Sequence, residues 1–200
     1  MTADETFRFV PLALILVVLP IGLYHRIRSQ ATREPLDRRQ EGLFILATLR
    51  PAGLAFFAGL IAYLVSPASM AWASMPLPVA VRWLGVGIGA TAAILLTWTF
   101  RRLGTNITDT VVTRRDHTLV LHGPYRWVRH PFYGSVTLFL LALSLIAANW
   151  FLLLTGAVVV ALLVIRTGRE EEHLVRRFGD DYRRYMNRTG RFLPRWGSRP

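Results

Sequence analysis

Five apolar stretches, each long or nearly long enough to cross a bilayer, fall within 200 residues and leave this chain few ways to fold. The hydrocarbon core offers no water to satisfy backbone N–H and C=O groups, so a segment that spans it must satisfy them internally, as a helix does. The stretches run over about residues 9–24, Leu43–Val65 and 79–100, and two more lie within 132–165, with Asn149-Trp150 as their turn. A helix needs about 20 residues to cross. The last two are short of that, so they are expected to tilt or to form a tight helical hairpin. The fold class that follows is all-α: a polytopic transmembrane helical bundle of about five spans with a cytoplasmic C-terminal helix. Residues 1–200 read as one integral membrane domain. The first stretch follows Asp4, Glu5 and Arg8, not a basic segment, and leads into Tyr24, His25 and Arg26, not a small-residue cleavage site. It is read as a retained span.

The net charge of +12 would fit nucleic acid, but its distribution does not. Every basic residue is Arg, with no Lys, and all 24 except Arg8, Arg50 and Arg82 lie in residues 25–42, 101–130 and 166–200. Five spans put these three segments on one side, as the excess of positive charge on cytoplasmic loops requires. The N-terminus is then outside and the C-terminus cytoplasmic. The all-Arg usage points to a GC-rich bacterial genome and so to a bacterial inner membrane. All five His share the cytoplasmic segments, so the polar chemistry is gathered on one face. With no Cys, disulfides and thiolate metal sites are excluded, and no metal is expected. Arg50, inside the second stretch, is read as snorkelling, or as lying at the interface with Pro51 opening the span proper.

Two cytoplasmic segments carry chemistry. The first, residues 117–133, reads H-T-L-V-L-H-G-P-Y-R-W-V-R-H-P-F-Y. Residues 118–121 are expected to be extended, Gly123-Pro124 to turn, and Pro131 to open the fourth span, because proline suits the first turn of a helix. Tyr125, Trp127, Phe132 and Tyr133 supply aromatic faces, and His122, Arg126, Arg129 and His130 supply donors. This mixture suits a cationic, amphipathic cofactor, although aromatic residues and Arg also gather at any cytoplasmic bilayer boundary. The second segment, residues 166–194, is expected to carry the fifth span onward as a cytoplasmic helix. There Leu174, Phe178, Tyr182 and Tyr185 would share one face, and Arg166 and Glu170, four apart, would meet where the helix leaves the membrane. A basic amphipathic helix resting on anionic lipid has the same pattern.

Taken together, the segments H122-G-P-Y-R-W-V-R-H-P-F-Y133, R166-T-G-R-E-E-E-H-L174, F178-G-D-D-Y182-R-R-Y185 and T189-G-R-F-L-P194 resemble the isoprenylcysteine carboxyl methyltransferase family and the related phospholipid methyltransferases. L103-G-T-N106 resembles it too. The likeness covers residues 101–194, which it marks as the cofactor-binding and catalytic half. It implies a membrane methyltransferase using S-adenosyl-L-methionine. His122, Gly123, Tyr125, His130, Pro131, Tyr133, Glu171 and Tyr185 would be on the cofactor, and Arg166 and Glu170 would serve the acceptor end. The acceptor would be lipid-linked or a small hydrophobic molecule, such as an isoprenylcysteine-like carboxylate, an amine lipid or a thiol. Membrane sterol reductases using NADPH share part of the RHPxY pattern, and a non-catalytic membrane scaffold would share the belts and basic helices.

Overall fold

The computed structural model describes residues 3–30, 43–103 and 119–195. Within them lie six α-helices: α1 (Ala3–Gln30), α2 (Leu43–Val65), α3 (Val79–Leu103), α4 (Pro131–Ala147), α5 (Trp150–Phe178) and α6 (Asp180–Arg188). Two 3₁₀ turns, Pro67–Ala73 and Gly123–Arg126, join them. No strand occurs among the described residues. The segment Leu103–Asn106 that shares the family pattern lies outside the described residues after its first member, as does Thr118, and residues 119–121 belong to no regular element.

Four helices are long and apolar enough to span a bilayer: Thr6–His25, Ala47–Val65, Val79–Leu103 and Trp150–Phe178. The apolar α4 is shorter, with 17 residues. The expected pair of short helices is therefore unequal, because α5 continues unbroken past Ile165 through Arg166-Thr-Gly-Arg-Glu-Glu-Glu. Nothing in that run breaks a helix, and Glu172 and Arg176 pair across one turn. The break comes at Gly179, with φ +54, and α6 starts beyond it. Leu174, Phe178, Tyr182 and Tyr185 are thus divided between two helices. Tyr182 and Tyr185 are the buried pair.

Without a hydrophobic drive between helices in lipid, close backbone approach and packing hold a bundle together. Here α3 packs on α4 at Gly85, and Gly89 faces both Ala142 of α4 and Leu14 of α1. A Cβ at Gly85 would stand 3.0 Å from Leu145 Cβ and 3.2 Å from Ile146 N. The α2–α5 contact is reciprocal: the Phe151 ring fills the space over Gly59, and the Phe56 ring the space over Gly156. Helix α1 lies against α3 and α4. Its Phe9, Leu12, Leu16, Leu19 and Leu23 are exposed, as lipid-facing residues are. Arg50 is exposed on α2, near the start of its apolar window.

The α4–α5 turn is very tight. Ala148 takes the left-handed conformation (φ 47), and its N–H reaches back to the carbonyls of Leu145 and Ser144. Asn149, only 1 % exposed, caps α5 by accepting from the Leu152 N–H at 3.0 Å. Because a lost cap costs about 1 kcal/mol, and a buried orphan donor adds to it, Asn149→Ala is expected to lower stability by about 1–2 kcal/mol. Thermal unfolding in detergent, wild type beside variant, measures this.

Candidate active site

The C-terminal ends of α1, α3 and α5 and the start of α4 gather at one end of the bundle. There the Gly123–Arg126 turn and the chain beyond α6 close over α4. Pro131 stands in the first turn of α4, where its missing N–H costs nothing, and His130 precedes it in a non-helical conformation. Gly123 has φ +66, and a Cβ there would meet the Arg102 stem at 2.7 Å, so the turn demands glycine on both counts. Trp127 packs edge-on to Trp98 of α3, which seats the loop on that helix.

The tail holds the loop by backbone pairing. Arg129 N–H donates to Gly190 O (2.9 Å) and His130 N–H to Arg191 O (3.0 Å). Val128 and Gly190 form a parallel bridge. The Tyr185 hydroxyl donates to Tyr125 O at 2.6 Å, and Thr189 Oγ1 donates to Tyr185 O at 2.7 Å. Burial pushes the Tyr185 phenol well above its ordinary value, so it stays a neutral donor.

Glu171 sits at the centre of this junction, 3 % exposed. Arg129 Nε lies 2.7 Å from its Oε1, and His130 Nε2 lies 3.2 Å from the same oxygen. Arg191 takes Oε2 with two nitrogens, Nε at 3.1 Å and Nη2. That hydrogen bond raises the pKa of the Arg191 guanidinium. Arg129 Nη1 also donates to Met186 O (3.0 Å) and to Thr189 O. A buried carboxylate is tolerable only when paired and hydrogen-bonded on both oxygens, and this one is. It ties the loop, α5 and the tail to one point.

Glu170, the preceding residue, faces the other way. Its Oε2 accepts from the Tyr133 hydroxyl at 2.8 Å and lies 4.0 Å from His130 Nδ1. The His130 and Tyr133 rings are stacked, with centroids 5.5 Å apart and planes 7° from parallel. Phe192 of the tail covers His130 from another side. Burial first, and the Glu170 charge second, push the Tyr125 phenol well above its ordinary value. The charge of Arg166 reaches Tyr133 as well.

Of the residues singled out in the sequence, Tyr125, His130, Pro131, Tyr133, Arg166, Glu170, Glu171 and Tyr185 therefore come together. Gly123 shapes the loop beside them, and His122 precedes its turn at the exposed rim with no side-chain capping bond. Arg129 and Arg191 complete the cluster and were absent from the expected site. Arg129 had stood out only as one donor among several, and Arg191 only as part of T189-G-R. Among the described residues no group of His, Asp and Glu could hold a metal ion.

These features define a helical integral membrane protein with a polar aromatic site at one membrane face. The sequence profile of the phospholipid methyltransferase family matches residues 80–181, and the chain belongs to that family. Protein-S-isoprenylcysteine O-methyltransferase of Schizosaccharomyces pombe is 32 % identical over 94 residues, covering 46 % of this chain. The match covers 40 % of that relative's length. The fold resembles that of a eukaryotic intramembrane Ras methyltransferase, isoprenylcysteine carboxyl methyltransferase, with a TM-score of 0.56 and 19 % identity over 97 % of this chain and 68 % of the other.

The ion cluster carries its own test. Removing a partner from a buried ion pair typically costs about 3 kcal/mol or more. Glu171→Ala is therefore expected to speed amide hydrogen exchange of Arg129, His130 and Gly190, whose N–H groups make the loop–tail bonds, by roughly a hundredfold, with the α2–α5 core unchanged. Protection equal to wild type at these amides would rule out the tie.

Proposed function

We propose that this chain is an S-adenosyl-L-methionine-dependent methyltransferase acting on a lipid-linked or small hydrophobic acceptor at the cytoplasmic membrane face, with residues 101–194 as the cofactor-binding and catalytic half. The observation that carries the reading is the Tyr133–Glu170 pair, built against the stacked His130 and Tyr133 rings, with Arg166 one helical turn before Glu170 on α5. The charge distribution of the loops supports an external N-terminus and a cytoplasmic C-terminus.

The donor set fits the cofactor. S-adenosyl-L-methionine supplies an electrophilic methyl group on a positively charged sulfur. A cation of that kind is favoured by a carboxylate, phenol oxygens and aromatic faces, which Glu170, Tyr125 and the His130–Tyr133 stack present together. Gly123 lets the loop backbone come close, and Pro131 and Tyr185 set its position. His122, at the rim, offers a donor to the polar end of the ligand. Glu171 stands behind His130 and fixes its ring through Nε2, so that Nδ1 faces Glu170.

At the acceptor end, Arg166 orients the reacting group. A carboxylate acceptor is already ionised near neutral pH and needs a cation to aim it, which a guanidinium does with two parallel hydrogen bonds. An amine or thiol acceptor must first lose a proton, and Glu170 takes it. Because a methyl displacement needs little besides alignment, these positioning contacts carry most of the catalysis.

The expected outcomes separate the two ends of the site. Calorimetry on detergent-purified protein is expected to show saturable S-adenosyl-L-methionine binding that His130→Ala loses. Arg166→Ala is expected to retain cofactor binding while transfer of labelled methyl to lipid extract falls at least about a hundredfold, as for a lost positioning contact. Selective binding of NADPH by folded wild-type protein would overturn the proposal in favour of a reductase. Full turnover by Arg166→Ala would remove that residue's role.

A further inference from the structure

The end of the bundle opposite the candidate active site holds a cavity of about 730 Å³. It lies between α1, α2, the 66–77 connection, α3 and the α4–α5 turn. From that turn to Glu170 the α5 helix runs about 30 Å. The polar lining is Arg8, Tyr63, Ser66, Ser74, Arg82 and Asn149, and Val65, Met70, Met75 and Leu77 supply an apolar wall. Ser74 is exposed, whereas Tyr63, Met70, Arg82 and Asn149 are buried. The cavity thus runs from an open mouth to a closed floor, and its volume is that of a site for a small organic molecule. Nothing in the proposed methyl transfer uses it.

Arg82 indicates the ligand. It stands in the first turns of the membrane-spanning helix α3 and is only 5 % exposed. A charge so placed is expensive and marks a ligand site or an ion path by default. Its orientation is set on three sides. Nε donates to Ile146 O at 2.9 Å, Nη2 donates to the Tyr63 hydroxyl oxygen at 3.4 Å, and the Phe7 ring covers the guanidinium face at 4.1 Å. Arg8, half-buried on α1, is anchored in the same way, with Nε donating to Leu64 O. Carbonyl and phenol oxygens orient a guanidinium but carry no full opposing charge. Two cations set into one cavity favour an anion, and a planar guanidinium matches a carboxylate with two parallel hydrogen bonds. The apolar wall selects further. A bare inorganic ion would leave it wet, whereas the adaptable Met70 and Met75 side chains suit an aliphatic or aromatic body.

We propose that this cavity is a second ligand site, which takes an organic carboxylate with a compact apolar body: the carboxylate on Arg8 and Arg82, the body against Met70, Met75 and Leu77. The site does not rest on the methyltransferase reading. A carboxylate held there is a bilayer's thickness from Glu170 and is not a reactant at that residue.

Binding, not turnover, tests it. The detergent-solubilised protein is titrated by calorimetry with phenylacetate, 3-phenylpropionate and octanoate, with the neutral amide of each, and with sulfate. Wild type is expected to bind at least one acid about tenfold or more tighter than its amide, as charge-assisted bonds from two guanidinium groups would give. Arg8→Gln is expected to reduce that preference several-fold and leave amide binding unchanged. Ser74→Trp, at the exposed mouth, is expected to weaken acid and amide together, and Arg166→Ala to change neither. No acid preferred over its amide, an undiminished preference in Arg8→Gln, or sulfate bound as tightly as the best acid would each overturn the proposal. So would a preference lost in Arg166→Ala, which would place the carboxylate at the candidate active site. Asp4 and Glu5 precede Arg8 by four and three residues. A preference present in Asp4→Asn/Glu5→Gln but not in wild type would show that the chain's own acids take the place of the ligand, and would also overturn it.

Discussion

One buried carboxylate organises the membrane-face end of this protein. Glu171 accepts from Arg129, His130 and Arg191, which come from the loop before α4 and from the tail after α6. Loop and tail each leave backbone groups that a regular element would have satisfied. The carboxylate brings them into register, and the parallel pairing of residues 128–130 with 190–191 then satisfies those groups. His130 is thereby fixed on one side by Glu171 and stacked on the other by Tyr133. Supports of this kind set the geometry around His130 before any ligand arrives.

Much of the bundle was legible in the sequence because lipid imposes a simple rule. A long charge-poor run must be a helix, and the alternation of Arg-rich and uncharged segments orders the helices. Asn149 was legible as the turn because it is a lone polar residue between two apolar runs. The relation of Arg166 to Glu170 on one helix is likewise a local matter of spacing. What the spacing hid is non-local. Arg129, Glu171 and Arg191 are 42 and 20 residues apart, and no periodicity links them. Nor did Glu170 announce Tyr133 as its partner across the hairpin. The 4, 4, 3 spacing of Leu174, Phe178, Tyr182 and Tyr185 did not reveal the helix break, because it runs straight through Gly179, whose positive φ ends one helix before the next begins.

The membrane-facing and polar layers also differ in how they are held. In the span region, glycines at 59, 85, 89 and 156 let rings or backbones approach, so cohesion comes from shape. At the end that carries the Glu171 cluster it comes from charge and backbone pairing. Substitutions in the first layer act by steric volume, and those in the second by leaving a buried donor or acceptor unmatched.

The shortness of α4 sets the depth of the chemistry. From Ala147 back to Tyr133 the helix climbs about 21 Å, whereas α5 travels about 30 Å from Trp150 to Glu170, at 1.5 Å per residue. The two side chains nevertheless meet. Side chains lean toward the start of their own helix, so Tyr133 reaches outward past the end of α4 while Glu170 leans back toward the membrane. The meeting point is a notch beneath a helix too short to cross a hydrocarbon layer about 30 Å thick. A molecule anchored by its tail could present its polar end there without leaving its leaflet, so this end of the bundle is a waterline fixture: its reach is measured in the few ångströms between acyl chain and water, and depth would select a ligand as much as contact.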